Sequence, residues 1–205
     1  MNETIRIHNI IKNTTVLGPG NRYAVWFQGC MRNCLGCMSP SSRPLDSGKT
    51  ITVEKIVKSI LLTKNIEGVT ISGGEPFLQI DALFALIKSI KEKSNLSIII
   101  YTGYTLKELR DMKNDKVNQI LENMTDILID GEYIEALNDG ISLRGSSNQV
   151  VHFLSEHYKG FEHLYESKER NTEIFVSNKE LFFVGIPEKE TLQTWLNATN
   201  VFNDQ

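Results

Sequence analysis

Three cysteines fall within eight residues, Cys30-Met31-Arg32-Asn33-Cys34-Leu35-Gly36-Cys37, and the sequence of 205 residues holds no others. Any fold this chain adopts has to present that loop with its thiols gathered. An odd number of thiols confined to one loop is a poor disulfide framework. It suits a metal or a cluster held in a reducing compartment. Short gaps let a single loop wrap a compact inorganic centre, and Gly29 and Gly36 permit tight curvature beside bulky sulfur. Three thiolates on an iron–sulfur cubane leave one iron without a protein ligand, open to a small molecule. The residues alone leave structural zinc level with that reading. Zinc sites close with four Cys or His ligands, and His8, His152, His157 or His163 would have to supply the fourth, none at a convincing local spacing.

The surrounding pattern alternates between short apolar runs and helical periodicities. Arg6 to Ile11 reads as a short strand, and Tyr23-Ala24-Val25-Trp26-Phe27 as a buried one that runs straight into Gly29 and the cysteines. Pro40, Pro44 and Gly48 mark Ser39 to Lys49 as coil. Thr52 is placed to cap a helix bearing Val53, Ile56, Val57, Ile60 and Leu61. Glu67 to Ile71 reads as a strand ending in Ser72-Gly73-Gly74-Glu75-Pro76. A helix carrying Leu83, Phe84, Leu86, Ile87 and Ile90 follows it. Ser97 to Tyr101 is the next strand, with Thr105 capping a short helix beyond it. Val117, Ile120, Leu121 and Met124 suggest another helix before a strand at Ile127-Leu128-Ile129, which ends at Asp130-Gly131.

Continuous apolar strands between helices predict an α/β fold whose mainly parallel sheet is covered on both faces. About four strands fit between Tyr23 and Asp130, so a complete eight-fold barrel is too crowded. Beyond Gly145 the pattern is less regular. Val150 to Tyr165 reads as partly helical. Thr172 to Ser177 and Glu180 to Gly185 flank Asn178-Lys179 as a hairpin, and Leu192, Trp195 and Leu196 share one face of a short terminal helix. Residues 1–150 form the core on this reading, and 151–205 extend the same domain, with the hairpin near 171–186.

The formal charge is −3, from 22 basic and 25 acidic residues. No dense Lys/Arg run is present, which argues against nucleic acid as a partner. No stretch reaches the roughly 20 apolar residues of a membrane span. The polar start, Met1 to Arg6, lacks the features of a signal peptide, so a cytoplasmic protein is expected.

The cysteine loop resembles the signature of the radical S-adenosylmethionine (SAM) superfamily, in which three cysteines are separated by three and two residues. Ser72-Gly73-Gly74-Glu75-Pro76 resembles the superfamily's glycine-rich SAM-binding segment. Gly18-Pro19-Gly20-Asn21-Arg22, Gln28-Gly29-Cys30, Tyr101-Thr102-Gly103-Tyr104, Asp130-Gly131 and Leu143-Arg144-Gly145-Ser146-Ser147-Asn148-Gln149 are similar to segments in the activating proteins of anaerobic ribonucleoside-triphosphate reductase. Gly36 stands where the broader superfamily often has an aromatic residue, and fits the activase-like variant.

The resemblance implies a partial (β/α) barrel. It also implies a [4Fe–4S] cluster on Cys30, Cys34 and Cys37, with SAM on the open iron. The activity it implies is reductive cleavage of SAM to a 5′-deoxyadenosyl radical, which takes an α hydrogen from a glycine of a large glycyl-radical enzyme. The implied partner is anaerobic ribonucleotide reductase, with flavodoxin or a similar protein as electron donor. A radical SAM enzyme that modifies a peptide or small metabolite is the same-class alternative, and a zinc-containing interaction module is the alternative of a different class.

Gly73, Gly74, Glu75 and Pro76 are the implied SAM-binding turn, with bracing of the next helix as the plainer role for Glu75. Asp130, at a strand end, is a candidate contact for SAM, a cation or the partner's glycine loop, against a simple turn with Gly131. Arg144, Ser146 and Asn148 are candidates for the methionyl carboxylate or ribose, against a solvent-facing turn. Tyr104 is a candidate boundary of the adenine or radical pocket, against mere packing. Arg22 is read as bracing the cysteine loop, engaging the partner or forming a surface salt bridge, and Trp26 as core.

Overall fold

The computed structural model describes residues 3–168, 170–177, 180–188, 191 and 194. Nine strands and four α-helices follow one another along it. β1 (Thr4–Thr14), β2 (Arg22–Phe27) and β3 (Lys49–Thr52) precede α1 (Val53–Leu62). β4 (Gly68–Gly73), α2 (Ile80–Lys93), β5 (Ser97–Tyr101), α3 (Leu106–Asp111), α4 (Asp115–Gln119) and β6 (Ile127–Asp130) come next. β7 (Val150–Phe153) is followed by two 3-10 turns and by the hairpin of β8 (Thr172–Ser177) and β9 (Glu180–Gly185).

Seven strands form one sheet in the order β3-β1-β2-β4-β5-β6-β7. The four central strands, β2, β4, β5 and β6, are parallel, and antiparallel pairs close both edges. This is an open, partial barrel. Crossover helices joining parallel strands leave the carboxyl ends of all four strands at one edge of the sheet, where ligands of such folds bind. The cysteine loop leaves β2 at that edge, the Gly-Gly-Glu-Pro turn leaves β4, the Thr-Gly-Tyr turn leaves β5, and Asp130 ends β6.

The two faces follow from strand alternation. Tyr23, Val25 and Phe27 point to one side with Val69, Ile71, Ile98, Ile100 and Leu128, and the main core forms there against Ile56, Ile60, Leu83, Leu86 and Ile90 of the helices. Thr52 caps α1 by accepting from Lys55 N, and Thr105 caps α3 in a reciprocal box with Glu108. The opposite face carries two smaller clusters. Ile99, Ile127 and Ile129 pack with Tyr158 and Tyr165, while Ala24 packs with Ile11, Val16, Leu17 and Val184, joined by Trp26 and Phe175. The chain beyond β7 therefore covers the face that the helices leave bare.

Three readings are corrected. Val150–Phe153 is an antiparallel edge strand, and only Glu156–Tyr158 and Glu162–Tyr165 are helical, as 3-10 turns. Lys49, read as the end of a coil, opens a strand that runs to Thr52 and pairs with β1, while Thr52 caps α1 as expected. Arg22 neither braces the cysteine loop nor meets solvent. It is fully buried at the opposite end of β2. Its guanidinium donates to Thr70 Oγ1, Pro19 O, Ser97 Oγ, Tyr158 Oη, Val69 O and Ser97 O. All these acceptors are neutral, so burial lowers its pKa and the Tyr158 hydroxyl opposes that only in part. An arginine stays charged regardless. The residues of the terminal-helix reading, Leu192, Trp195 and Leu196, and the Asn178-Lys179 turn lie outside the described residues.

Candidate active site around the cysteine loop

The cysteine loop is seated by peptide groups. Gly74 N donates to Phe27 O and Glu75 N to Gly29 O, both at 2.8 Å. Gly29 N and Cys30 N donate to Ser42 O and Arg43 O. The turn after β4 and the loop after β2 thus extend the sheet's pairing past its edge. This contact explains both glycines. A Cβ on Gly73, where φ is +114°, would lie 2.3 Å from Phe27 N and O, and one on Gly74 would lie 2.3 Å from Gly29 O. Neither position has room for a side chain. Pro76 fixes the exit at the first position of a 3-10 turn, Pro76–Gln79.

Glu75 is buried, at 2% exposure. Its oxygens accept from Phe77 N at 2.9 Å, Gly103 N at 2.8 Å and Thr102 Oγ1 at 2.9 and 3.1 Å. The side chain therefore caps the turn that follows it and ties that turn to the one after β5. Burial pushes its pKa up to about 7, against the pull of the donors from Phe77, Gly103 and Thr102. Of the roles read from sequence, bracing is the one the geometry displays.

The three thiols are free and partly exposed. Burial raises the pKa of Cys30 and Cys34, and neighbouring charges add to it: Glu75, Cys34 and Cys37 for Cys30, Cys37 and Glu132 for Cys34. Such thiols resist ionising until a cation joins them, which is the electrostatic setting that iron satisfies. Among the described residues no three His, Cys, Asp or Glu side chains assemble as a set for one metal ion. Thiolates on a cubane each bind a separate iron, so three cysteines on one short loop suffice for a cluster. Of the candidate fourth zinc ligands, His8 meets Ser41, His152 meets Asp130 and His163 meets Gly160 O, while the His157 ring packs edge-on against Tyr158. The donor set fits a cluster.

Arg32, inside the cysteine loop, was not singled out by sequence. Its guanidinium stands 4.5 Å from the Tyr104 ring centre. It pairs with Glu108 at 3.1 Å and Glu132 at 3.7 Å. Tyr104 is thus brought to the cysteine loop, as its packing partner.

Asp130 is buried and fully engaged. Oδ2 accepts from Leu106 N at 2.6 Å and meets His152 Nε2 at 2.9 Å, and Oδ1 accepts from Val150 N at 3.2 Å. It joins α3 and β7 to the end of β6 rather than forming a turn with Gly131, whose N–H goes to Tyr104 O.

Arg144 is half-buried and Ser146 buried, so neither sits in a solvent-facing turn, whereas Asn148 does lie exposed in a turn. Arg144 pairs with Asp139, Ser146 is buried and accepts from Ile134 N at 3.1 Å, and Asn148 donates to Glu132 O at 2.8 Å. Together they shape the 131–138 loop, which lies across from the cysteines. Asn33, Cys34 and Leu35 on one side, and Glu132, Tyr133, Ile134, Glu135 and Ala136 on the other, line a cleft of about 480 Å³. This cleft is also absent from the sequence reading, because its two walls lie some hundred residues apart.

The chain matches the family model described as a 4Fe-4S single cluster domain over residues 16–152. It is 35% identical over 153 residues to the anaerobic ribonucleoside-triphosphate reductase-activating protein of Vibrio cholerae, a match covering 71% of this chain and 96% of that protein. The chain belongs to the radical SAM superfamily, among the relatives of those activating proteins. The counterpart in Escherichia coli K12 is 33% identical over 147 residues, 68% of this radical SAM chain and 92% of its own length. The pyruvate formate-lyase 1-activating enzyme of the same organism is 29% identical over 150 residues, covering 70% of this chain and 58% of that enzyme. No helix among the described residues is long and apolar enough to cross a membrane.

Proposed function

We propose that this radical SAM protein activates a glycyl-radical enzyme of the anaerobic ribonucleoside-triphosphate reductase type. The observation that carries the reading is a three-thiol loop hydrogen-bonded to the Gly73-Gly74-Glu75-Pro76 turn, in a chain related along most of its length to such activators. Cys30, Cys34 and Cys37 would hold the [4Fe–4S] cluster. When bound, the cluster and SAM would supply reductive C5′–S cleavage, with one electron from an external donor, yielding methionine and the hydrogen-atom acceptor that ends as 5′-deoxyadenosine.

The chain's own residues supply placement. Gly73 and Gly74 let the turn pack directly on the Phe27–Gly29 backbone, which would hold its peptide groups next to the cysteine loop for a methionyl ammonium to meet. Glu75 keeps that turn and the Tyr104 turn at a fixed separation. Tyr104 would bound the adenosyl pocket. Ser146, Asn148 and Arg144 hold the loop that walls the cysteines on the far side, and Asp130 fixes the sheet edge beneath it. Residues 1–150 carry this site in the reading, with the remainder as an extension of the same domain.

The test is anaerobic reconstitution with iron and sulfide, followed by SAM and dithionite. The expected product is 5′-deoxyadenosine, and adding the cognate anaerobic reductase should yield a glycyl electron-spin signal on that polypeptide. A zinc-loaded protein that cleaves no SAM would end the reading. SAM cleavage with a stable mass change on another peptide, and no glycyl signal, would move it to a different radical SAM activity.

A further inference from the structure

The edge that carries the cysteines also exposes large apolar side chains. Leu35 is 82% exposed and Met31 68% within the loop itself, and Ile134 and Leu137 are 37% and 42% exposed on the facing 131–138 loop. Leu35 and Ile134 line the same cleft, with Ala136 beside them. Apolar groups gathered in this way mark an interaction site on a soluble protein more often than chance exposure does.

The charged residues that line the cleft are acidic, while Arg32 and Arg43 stand behind its cysteine-loop wall. Glu132 and Glu135 both line it. Arg32 is the cation that answers Glu132, and it is shared with Glu108. Glu135 makes no ion pair among the described residues. Its carboxylate instead lies against the cysteine loop, 2.9 Å from where a Cβ on Gly36 would stand. Glycine at position 36 thus lets the acidic wall close up to the thiols.

We infer that this cleft receives a polypeptide segment of the glycyl-radical partner that presents apolar side chains together with a lysine or arginine. The inference rests on the function proposed above. Leu35 and Ile134 take the apolar groups, and Glu135 takes the cation. Complementary charge of this kind steers encounter and sets register. A donor protein with an acidic face would meet Glu132 and Glu135 as like charges, so the same feature directs it to another surface.

The experiment measures the affinity of the reconstituted protein for the cognate anaerobic reductase, and for SAM, across a salt series. The variants are Glu135→Lys, Ile134→Ser and, as a control, Glu122→Lys on an exposed position just before β6. Glu135→Lys is expected to weaken reductase binding by about tenfold or more, with a shallower salt dependence, and Ile134→Ser by about threefold to tenfold. Glu122→Lys should do neither. Equal effects of Glu135→Lys and Glu122→Lys would overturn the inference. So would a loss of SAM affinity with reductase affinity intact, which would assign the cleft to the small molecule. A wild-type protein that cleaves SAM yet forms no complex with the reductase removes the functional reading, and this surface falls with it. Normal complex formation that ignores both cleft variants removes the surface alone.

Discussion

The guanidinium of Arg32 lies 4.5 Å from the centre of the Tyr104 ring, so the cysteine loop is clasped to the turn after β5 by a side chain that holds no metal. The same group reaches Glu108 and Glu132. One residue between the first two cysteines thus spans three of the loops at the sheet edge. Each contact is partly exposed and individually small, about 0.5–1 kcal/mol.

Replacing Arg32 should loosen the loop more than it destabilises the fold. Arg32→Ala is expected to lower global stability by no more than about 1–2 kcal/mol, while iron release to a chelator quickens severalfold. Arg32→Lys should recover part of the ion pairing and little of the ring contact. Iron release kinetics beside a denaturant melt separate these effects.

Gly74→Ala should be far more damaging than its size suggests. The new methyl would meet the Gly29 carbonyl at 2.3 Å, a main-chain atom that cannot swing aside. A cost of about 2–4 kcal/mol is expected from such overpacking, together with loss of cluster loading, read by thermal unfolding of the apo protein and by iron content.

Glu75 gives stability a pH dependence of defined sign. Its pKa rises from 4.5 in the unfolded chain to about 7 in the folded one, chiefly through burial. The folded state therefore binds the extra proton between those values. Its contribution is fully present below about pH 4.5 and is lost as pH rises toward 7. In the apo protein Glu75→Gln should flatten that slope. It should also cost about 1–3 kcal/mol, because an amide NH2 would face the donor N–H of Phe77 or Gly103. Urea melts from pH 4.5 to 8 measure both.

Removing the chain after Phe153 should not leave a stable core. Tyr158 donates no charge to Arg22 but accepts one of its hydrogen bonds at 2.9 Å, and Tyr165 helps bury Ile99, Ile127 and Ile129. The truncated protein is expected to be insoluble or at least several degrees less stable. Tyr158→Phe should cost about 1–2 kcal/mol by removing the hydroxyl that bonds both Arg22 and Ser97 in the buried network, as a thermal melt would report.

Much of the framework was legible because it is local. The isoleucines of β5, the threonine caps of α1 and α3, and the Gly-Pro punctuation each act over a few residues. β3 and β7 escaped notice because edge strands bury little: Lys-Thr-Ile-Thr carries no apolar run, and Val-Val-His-Phe beside two 3-10 turns resembles the start of a helix. Arg22 was misplaced for another reason. Its acceptors sit at positions 19, 69, 70, 97 and 158, and nothing beside it announces them. Glu75 and Asp130 drew attention as candidate SAM contacts because one follows a strand and the other ends one. Their partners, Gly103 and Thr102 for one and Leu106 and His152 for the other, belong to turns and strands that only the folded sheet brings near. Arg32 and the cleft were invisible because they arise from loops that meet across the sheet edge.

The seat of the cysteine loop is made from main-chain donors and acceptors at Phe27, Gly29, Gly74 and Glu75. Those contacts form without the thiols or anything bound to them. Because the seat is built from peptide groups, loading with iron and sulfide is expected to proceed without a refolding step.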